Sequence, residues 1–192
     1  MIFCKSKRVK ESVTRFIEGK LHLKVNRDKT IVSYVKGVKY LGYSFYVMKG
    51  KCQLTVHAKA KAKMKAKLKE LTSRSNGWGY AKRKQKLEEY IKGWVGYYHL
   101  ANMKRFLIEM DEWLRRRLRM CIWKSWKRVK TRVANLVKCG IDKYQAYMWG
   151  NSRLGYWRIA GSYILSRAIT NEKLSMAGYA TLMGSYIEWH PK

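Results

Sequence analysis

KRFLIEMDEWLRRRLRMCIWKSWKRVKTR, residues 104–132, is the stretch on which the fold turns. Phe106, Leu107, Met110, Trp113, Leu114, Leu118, Cys121 and Ile122 recur at three-and-four spacing, which directs one face of an α-helix toward a core. The opposite face carries Arg115, Arg116, Arg117, Arg119, Lys124, Lys127, Arg128, Lys130 and Arg132, and no carboxylate follows Glu112 to offset them. Trp113, Trp123 and Trp126 are interleaved with these cations. The spacing predicts one helix across 104–132 whose solvent face requires a polyanion, of which nucleic acid is the commonest.

The rest of the chain carries the same charge bias. Its 192 residues hold 43 lysines and arginines against 12 acidic residues, a formal charge of +31. Residues 1–143 contain 38 of the cations and 10 of the anions, and residues 144–192 only 5 and 2, so phosphate contact is expected before Tyr144. With 47% hydrophobic and 14% aromatic residues, the chain is too apolar for a disordered basic tail and should fold. Cys4, Cys52, Cys121 and Cys139 are scattered, with no paired spacing for zinc, which points to a reducing compartment. The start MIFCKSKR shows no apolar signal region, and the uncharged run Leu174–Ile187 is shorter than a membrane span. A soluble cytoplasmic protein without a membrane partner is the expectation.

Outward from the central stretch, the N-terminal part reads as α+β. Met1–Lys5 suggests a strand, and Lys10–Leu21 a helix ending near Gly19 or Lys20. Extended runs are expected at Thr30–Val35 and Val38–Val47, divided by a turn at Lys36-Gly37, and in the second Val38, Tyr40 and the aromatic Tyr43–Tyr46 cluster suit a β-hairpin or sheet edge. Met48-Lys49-Gly50-Lys51 then turns into a strand at Cys52–Val56. In AKAKAKMKAKLKEL (58–71) strict alternation favours a strand, yet the residues are helix formers. Ala60, Met64, Leu68 and Leu71 form a helical stripe, so a helix is expected, with Lys61, Lys63, Lys65 and Lys67 as phosphate contacts and a plain solvated face as the alternative. A loop at SRSNGWG (73–79), bearing Arg74, leads to a helix over about Lys82–His99, which opens on Lys82, Arg83 and Lys84. Gly93 and Gly96 there suggest close helix–helix approach. A further helix, Arg132–Lys138, should stop at Gly140. Residues 144–192 read as short helices, one capped by Asn171 over Glu172–Ala177. Their dense aromatics favour packing over stacking on bases.

Catalytic constellations are missing from this reading. Asp111 and Glu112 are adjacent, diverge by about 100° on a helix, and suit surface ion pairs with Arg115 and Arg116. No metal-ligand cluster, phosphate-cradling glycine loop or nucleophile elbow is found. The residues describe a binder, and a basic structural RNA-binding protein remains one form of it.

Residues 73–128 closely resemble the maturase-specific domain, also called domain X or thumb, of bacterial group II intron reverse transcriptases. The resemblance rests on Gly93, Trp94, Tyr97 and Tyr98 and on the block DEWLRRRLRMCIWK at 111–124. GNSRLGYWRIA (150–160) and ITNEKLSMAGY (169–179) look like that family's C-terminal segment. KVNRDKTIVS (24–33) and VKYLGYSFY (38–46) resemble the end of its palm, with Tyr40, Leu41, Gly42 and Tyr43 where a primer-grip-like hairpin falls. The resemblance implies a mainly α fold: a palm remnant at 1–57, a three-helix thumb/maturase domain at 58–143, and a helical C-terminal segment at 144–192. It implies binding of group II intron RNA or an RNA/DNA template–primer, assistance to intron folding and splicing, and no cofactor in this chain. Magnesium belongs to the palm. The chain begins after the point where the family's Y-A-D-D motif would end, so it is expected to be inactive as a polymerase alone. A thumb completed by a separate fingers/palm chain is the alternative. Where the family has proline, this sequence has Ala58 and Val129, and the neighbouring helices are expected to run on.

Overall fold

Alternating lysines in AKAKAKMKAKLKEL resolve as a helix, because Ala60, Met64, Leu68 and Leu71 are spaced to bury one stripe. The computed structural model of the chain describes residues 7–30, 34–35 and 38–191. It divides into two compact units, residues 1–57 and 58–192.

In the first unit, α1 (Lys7–Lys20) precedes three antiparallel strands in the order β1-β2-β3: β1 (Lys39–Tyr40), β2 (Tyr43–Met48) and β3 (Lys51–Val56). After α1 the chain bends through Asn26, whose side chain accepts from Lys29 N–H, while Lys10 Nζ donates to the Thr30 carbonyl at 3.0 Å. The expected strand at Met1–Lys5, most of the expected run Thr30–Val35 and the Lys36-Gly37 turn lie outside the described residues. The run at Val38–Val47 forms a β-hairpin, as its Val38, Tyr40 and Tyr43–Tyr46 pattern suggests. It folds back at Leu41-Gly42, where φ is +48° and +83°, so that Tyr40 faces Tyr43 across a two-residue hairpin. Lys49-Gly50 repeats the device with φ of +49° and +73°. Both turns have positive φ at both central residues, the twist that suits a tight hairpin.

The second unit is helical. The described residues form ten helices in all, nine of them here. α2 (Ala58–Leu71) packs on α3 (Tyr80–Tyr98) and on α4 (Lys104–Ser125). Their shared core is Met64 and Leu68 from α2, Leu87 and Ile91 from α3, and Leu107 and Leu114 from α4. α5 (Val129–Lys138) and α6 (Lys143–Gly150) form a pair, with Gly150 pressed so closely on Val133 that a Cβ would meet its side chain at 2.7 Å. α7 (Tyr156–Ala160) covers α4, α8 (Tyr163–Ala168) and α9 (Asn171–Met176) follow, and α10 (Leu182–Glu188) packs on both α3 and α4. Gly140 ends α5 as expected. Its φ is +83°, its N–H donates to the Val137 carbonyl, and Ile141 N–H donates to that of Leu136. Among the described residues no helix is long and apolar enough to cross a membrane.

Four expectations are corrected here. The helix expected over 104–132 stops at Ser125, because the chain turns at Trp126 to bury both Trp123 and Trp126. Arg132 fastens the break: its Nε donates to the Trp126 carbonyl and its guanidinium lies 4.7 Å from the Trp123 ring. Helices therefore do not run on at Val129, which opens α5, or at Ala58, which opens α2. A Cβ at Gly93 would meet nothing within 4 Å, and one at Gly96 would meet the Trp189 ring at 3.3 Å rather than a helix backbone. The cap of α9 is Thr170, whose hydroxyl accepts from Lys173 N–H, rather than Asn171. In the C-terminal segment Tyr179 and Tyr186 are buried, whereas Tyr144, Tyr147 and Tyr163 are exposed.

Candidate nucleic-acid interface

A helix advances about 100° per residue, so alternating lysines separate into two rows spaced four apart. In α2 one row is Lys61, Lys65 and Lys69, the other Lys59, Lys63 and Lys67. Between them, on the side opposite the buried stripe, lie the exposed methyls of Ala62 and Ala66. The first row faces α4. Lys61 Nζ lies 4.8 Å from the Phe106 ring centre and Lys65 Nζ 5.5 Å from that of Trp113. These half-buried rings support the lysine stems while the ammonium groups stay at the surface. In the second row Lys63 is exposed, and Lys67 pairs with Glu70 at 2.8 Å.

The arginines of α4 divide by what covers them. Arg119 is only 8% exposed. Its Nε donates to the Ile169 carbonyl and its Nη2 to Asn171 Oδ1, both at 2.8 Å. Burial, with Arg115 nearby, pulls its pKa below the usual guanidinium range. Arg117 is half-buried, with Nε on Thr72 Oγ1 at 2.6 Å and Nη2 on the carbonyls of Lys69 and Thr72. Arg116 donates to the Trp157 carbonyl at 2.9 Å and lies 4.1 Å from the Trp157 ring centre, and Arg115 is half-buried. The Arg116 guanidinium runs against Gly161, where a Cβ would collide with it. Among the cations of the 73–84 region, Arg83 is 6% exposed with Nη2 on Asn76 Oδ1, and its buried Nε has no partner among the described residues. Lys84 donates to the Ala177 carbonyl, and Lys82 lies 5.5 Å from the Trp78 ring centre. Arg83 and Arg119 are therefore interior ties rather than members of a solvent face. The C-terminal helices cover part of what the sequence presents as an open cationic side.

Arg74 and Lys124 stay at the surface and meet on one ring, 4.8 and 5.0 Å from the centre of Tyr156. Lys127, Arg128 and Lys130 are exposed at the corner between α4 and α5, whereas Arg132 is occupied by the break itself. The outward cations thus form two groups: the rows of α2 along its seam with α4, and a second set from Arg74 and Lys124 to the α4–α5 corner. In the first unit Tyr40 and Leu41 are exposed at the hairpin tip.

Asp111 behaves unlike the surface ion-pair partner expected of it. It is 4% exposed, and its two carboxylate oxygens accept from Leu182 N–H at 2.8 Å and Met183 N–H at 2.9 Å. Together with Thr181 Oγ1 on Gly184 N–H, it satisfies the first turn of α10. Burial raises its pKa above the ordinary carboxylate value, against the two backbone donors and Arg115, which lower it.

Residues 61–140 match the family model described as the group II intron, maturase-specific domain. That segment fits the C-terminal part of a group II intron maturase. No curated protein matches the chain. The maturase-specific match takes in α2 from Lys61, the whole of α3 and α4, and α5 as far as its Gly140 stop. Apart from Lys59, both outward cation groups fall within it. Tyr156 and Trp157 lie beyond it and still seat three of its cations, Arg74, Arg116 and Lys124. Sequence reasoning missed these two rings because cation–aromatic pairs between distant segments leave no local spacing. The only signal was the adjacent Tyr-Trp pair, in a segment otherwise poor in charge.

Proposed function

We propose that the chain is an RNA-binding part of a bacterial group II intron reverse transcriptase, its thumb and maturase domain, which grips structured intron RNA and assists its folding and splicing. The observation that carries this reading is the coincidence of the maturase-specific match with the two lysine rows of α2 and the α4–α5 corner. Rows four residues apart along a helix advance about 6 Å per step, so several ammonium groups can follow one phosphate backbone. Lys61, Lys63 and Lys65 are the principal contacts, with Lys67, Lys82, Lys124, Lys127, Arg128 and Lys130 beside them. Cytoplasmic RNA is the partner this chemistry suits.

Binding of this kind releases counter-ions and so weakens steeply with salt. Replacing Lys61, Lys63 and Lys65 by glutamine should lower the slope of log affinity against log salt by about 2 to 3 in filter binding to a group II intron RNA. An unchanged slope would remove α2 from the RNA face. The β1–β2 hairpin favours a second use of the chain, with Tyr40, Leu41, Gly42 and Tyr43 beside a primer terminus. In that case the chain serves as the thumb of a polymerase whose fingers and palm lie on a separate chain. Primer extension should then need that second chain, and extension by this chain alone would refute it.

A further inference from the structure

The loop at 73–75, α4 and α7 enclose a recess of about 310 Å³, lined by Ser73, Arg74, Ser75, Arg117, Met120 and Trp157. Its size is near the lower end for small-ligand pockets, about 300 Å³, too small for a duplex and adequate for one nucleotide. We propose that this recess binds a single unpaired nucleotide of RNA, with Arg74 and Arg117 on its phosphate and Trp157 and Met120 against its base. The inference rests on the RNA-binding reading above and adds to it where, and in what conformation, the RNA is held.

Arg117 is prepared for such a ligand. Three of its N–H groups are spent on Thr72 and Lys69, which fixes the guanidinium plane, and both N–H groups of Nη1 remain for an external acceptor. Among the described residues Arg74 has no hydrogen-bond partner and rests on the Tyr156 ring, and the Ser73 and Ser75 hydroxyls add short-range donors. Arg116 stands at the rim over Trp157. Among the described residues no carboxylate lies within ion-pair distance of Arg74, Arg116 or Arg117. Convergence of the positive charge extends inward. The buried Cys121 thiol, bonded to the Thr72 carbonyl, is influenced by Arg83, Arg117 and Arg74 together, although burial outweighs them and raises its pKa. A concentration of unopposed guanidinium groups around an aromatic ring suits phosphate on one side and a base on the other. Trp157 is 40% exposed, and its ring orientation is fixed by Arg116 on its carbonyl and over its face. It is thus a rigid surface for a base that has left its stack.

The test compares two RNA hairpins that differ by one extra unpaired nucleotide in the stem, by fluorescence anisotropy with the full chain at one salt concentration. The bulged hairpin should bind about tenfold more tightly, the range of one base–aromatic stack. Trp157→Ala should abolish that preference while leaving affinity for the paired hairpin within about twofold, Arg74→Gln should abolish the preference whatever it takes from affinity for both hairpins, and Trp157→Phe should retain the preference. Arg74 is exposed and has no hydrogen-bond partner among the described residues, so its substitution reports on the recess even if Trp157→Ala fails to fold. Equal binding of the two hairpins by the unsubstituted chain, or a preference that survives Arg74→Gln, overturns the recess alone. Failure to bind either hairpin overturns the RNA-binding reading and the recess together.

Discussion

Asp111 holds the far end of the chain by two hydrogen bonds in a site that excludes water. Asp111→Ala would leave two buried N–H groups of α10 without acceptors and should cost about 3 kcal/mol, read as a lower urea midpoint. The folded chain binds the Asp111 proton more tightly than the unfolded chain does, since burial raises the folded pKa. The stability linked to this group is therefore present in full below the ordinary carboxylate pKa and is lost as pH rises through the raised value. Asp111→Asn has no proton to lose and should lack that decline when urea midpoints are compared across the acid range. A decline of equal size in both proteins would assign it to other groups. The sequence could not reveal this role, because the partner amides lie 71 and 72 residues away. Arg119 was illegible for the same reason: read as part of the solvent face, it is drawn inside by the Ile169 and Asn171 acceptors, which belong to another segment.

At the scale of elements, periodicity was a reliable guide and helix ends were not. The stripes of α2, α3 and α4 are buried as their spacing predicts, and the turn residues Asn76, Gly140 and Gly50 mark real turns. The stop at Ser125 escaped the pattern, because the cation-rich sequence remains helix-compatible through Arg132 and only the burial of Trp126 forces the turn. Arg128, the cap of α5, is extended at φ −95° and ψ 149°, the conformation favoured before proline, and Val129 is the first helical residue. Val129→Pro should therefore be accommodated and should stabilise the chain by about 0.5 kcal/mol through the unfolded state. A fall in thermal midpoint would show that the Val129 N–H or side chain carries something essential. Of the site, the lysine rows of α2 were legible because they are local. The recess was not, since Ser73, Arg117 and Trp157 meet only through the packing of α7 on α4.

For the whole molecule, a charge of +31 on 192 residues acts in two directions at once. Self-repulsion opposes the compact state, and salt screens it over about 10 Å at 0.1 M. Thermal stability of the free chain should therefore rise with sodium chloride over the same range in which RNA affinity falls. Parallel decline of both would mean that repulsion contributes little to the folded state. The C-terminal helices bear on this balance by covering part of α4 and placing Arg119 inside. Their covering depends on the grip of Asp111 on Leu182 and Met183, and those residues are joined to the chain well after α4. At about 5–20 residues per second, the 71 residues between Asp111 and Leu182 take roughly 4 to 14 s to add. For that interval on the ribosome, α4 exists without its clasp, with the Asp111 carboxylate in water and its arginines open to whatever RNA is nearby.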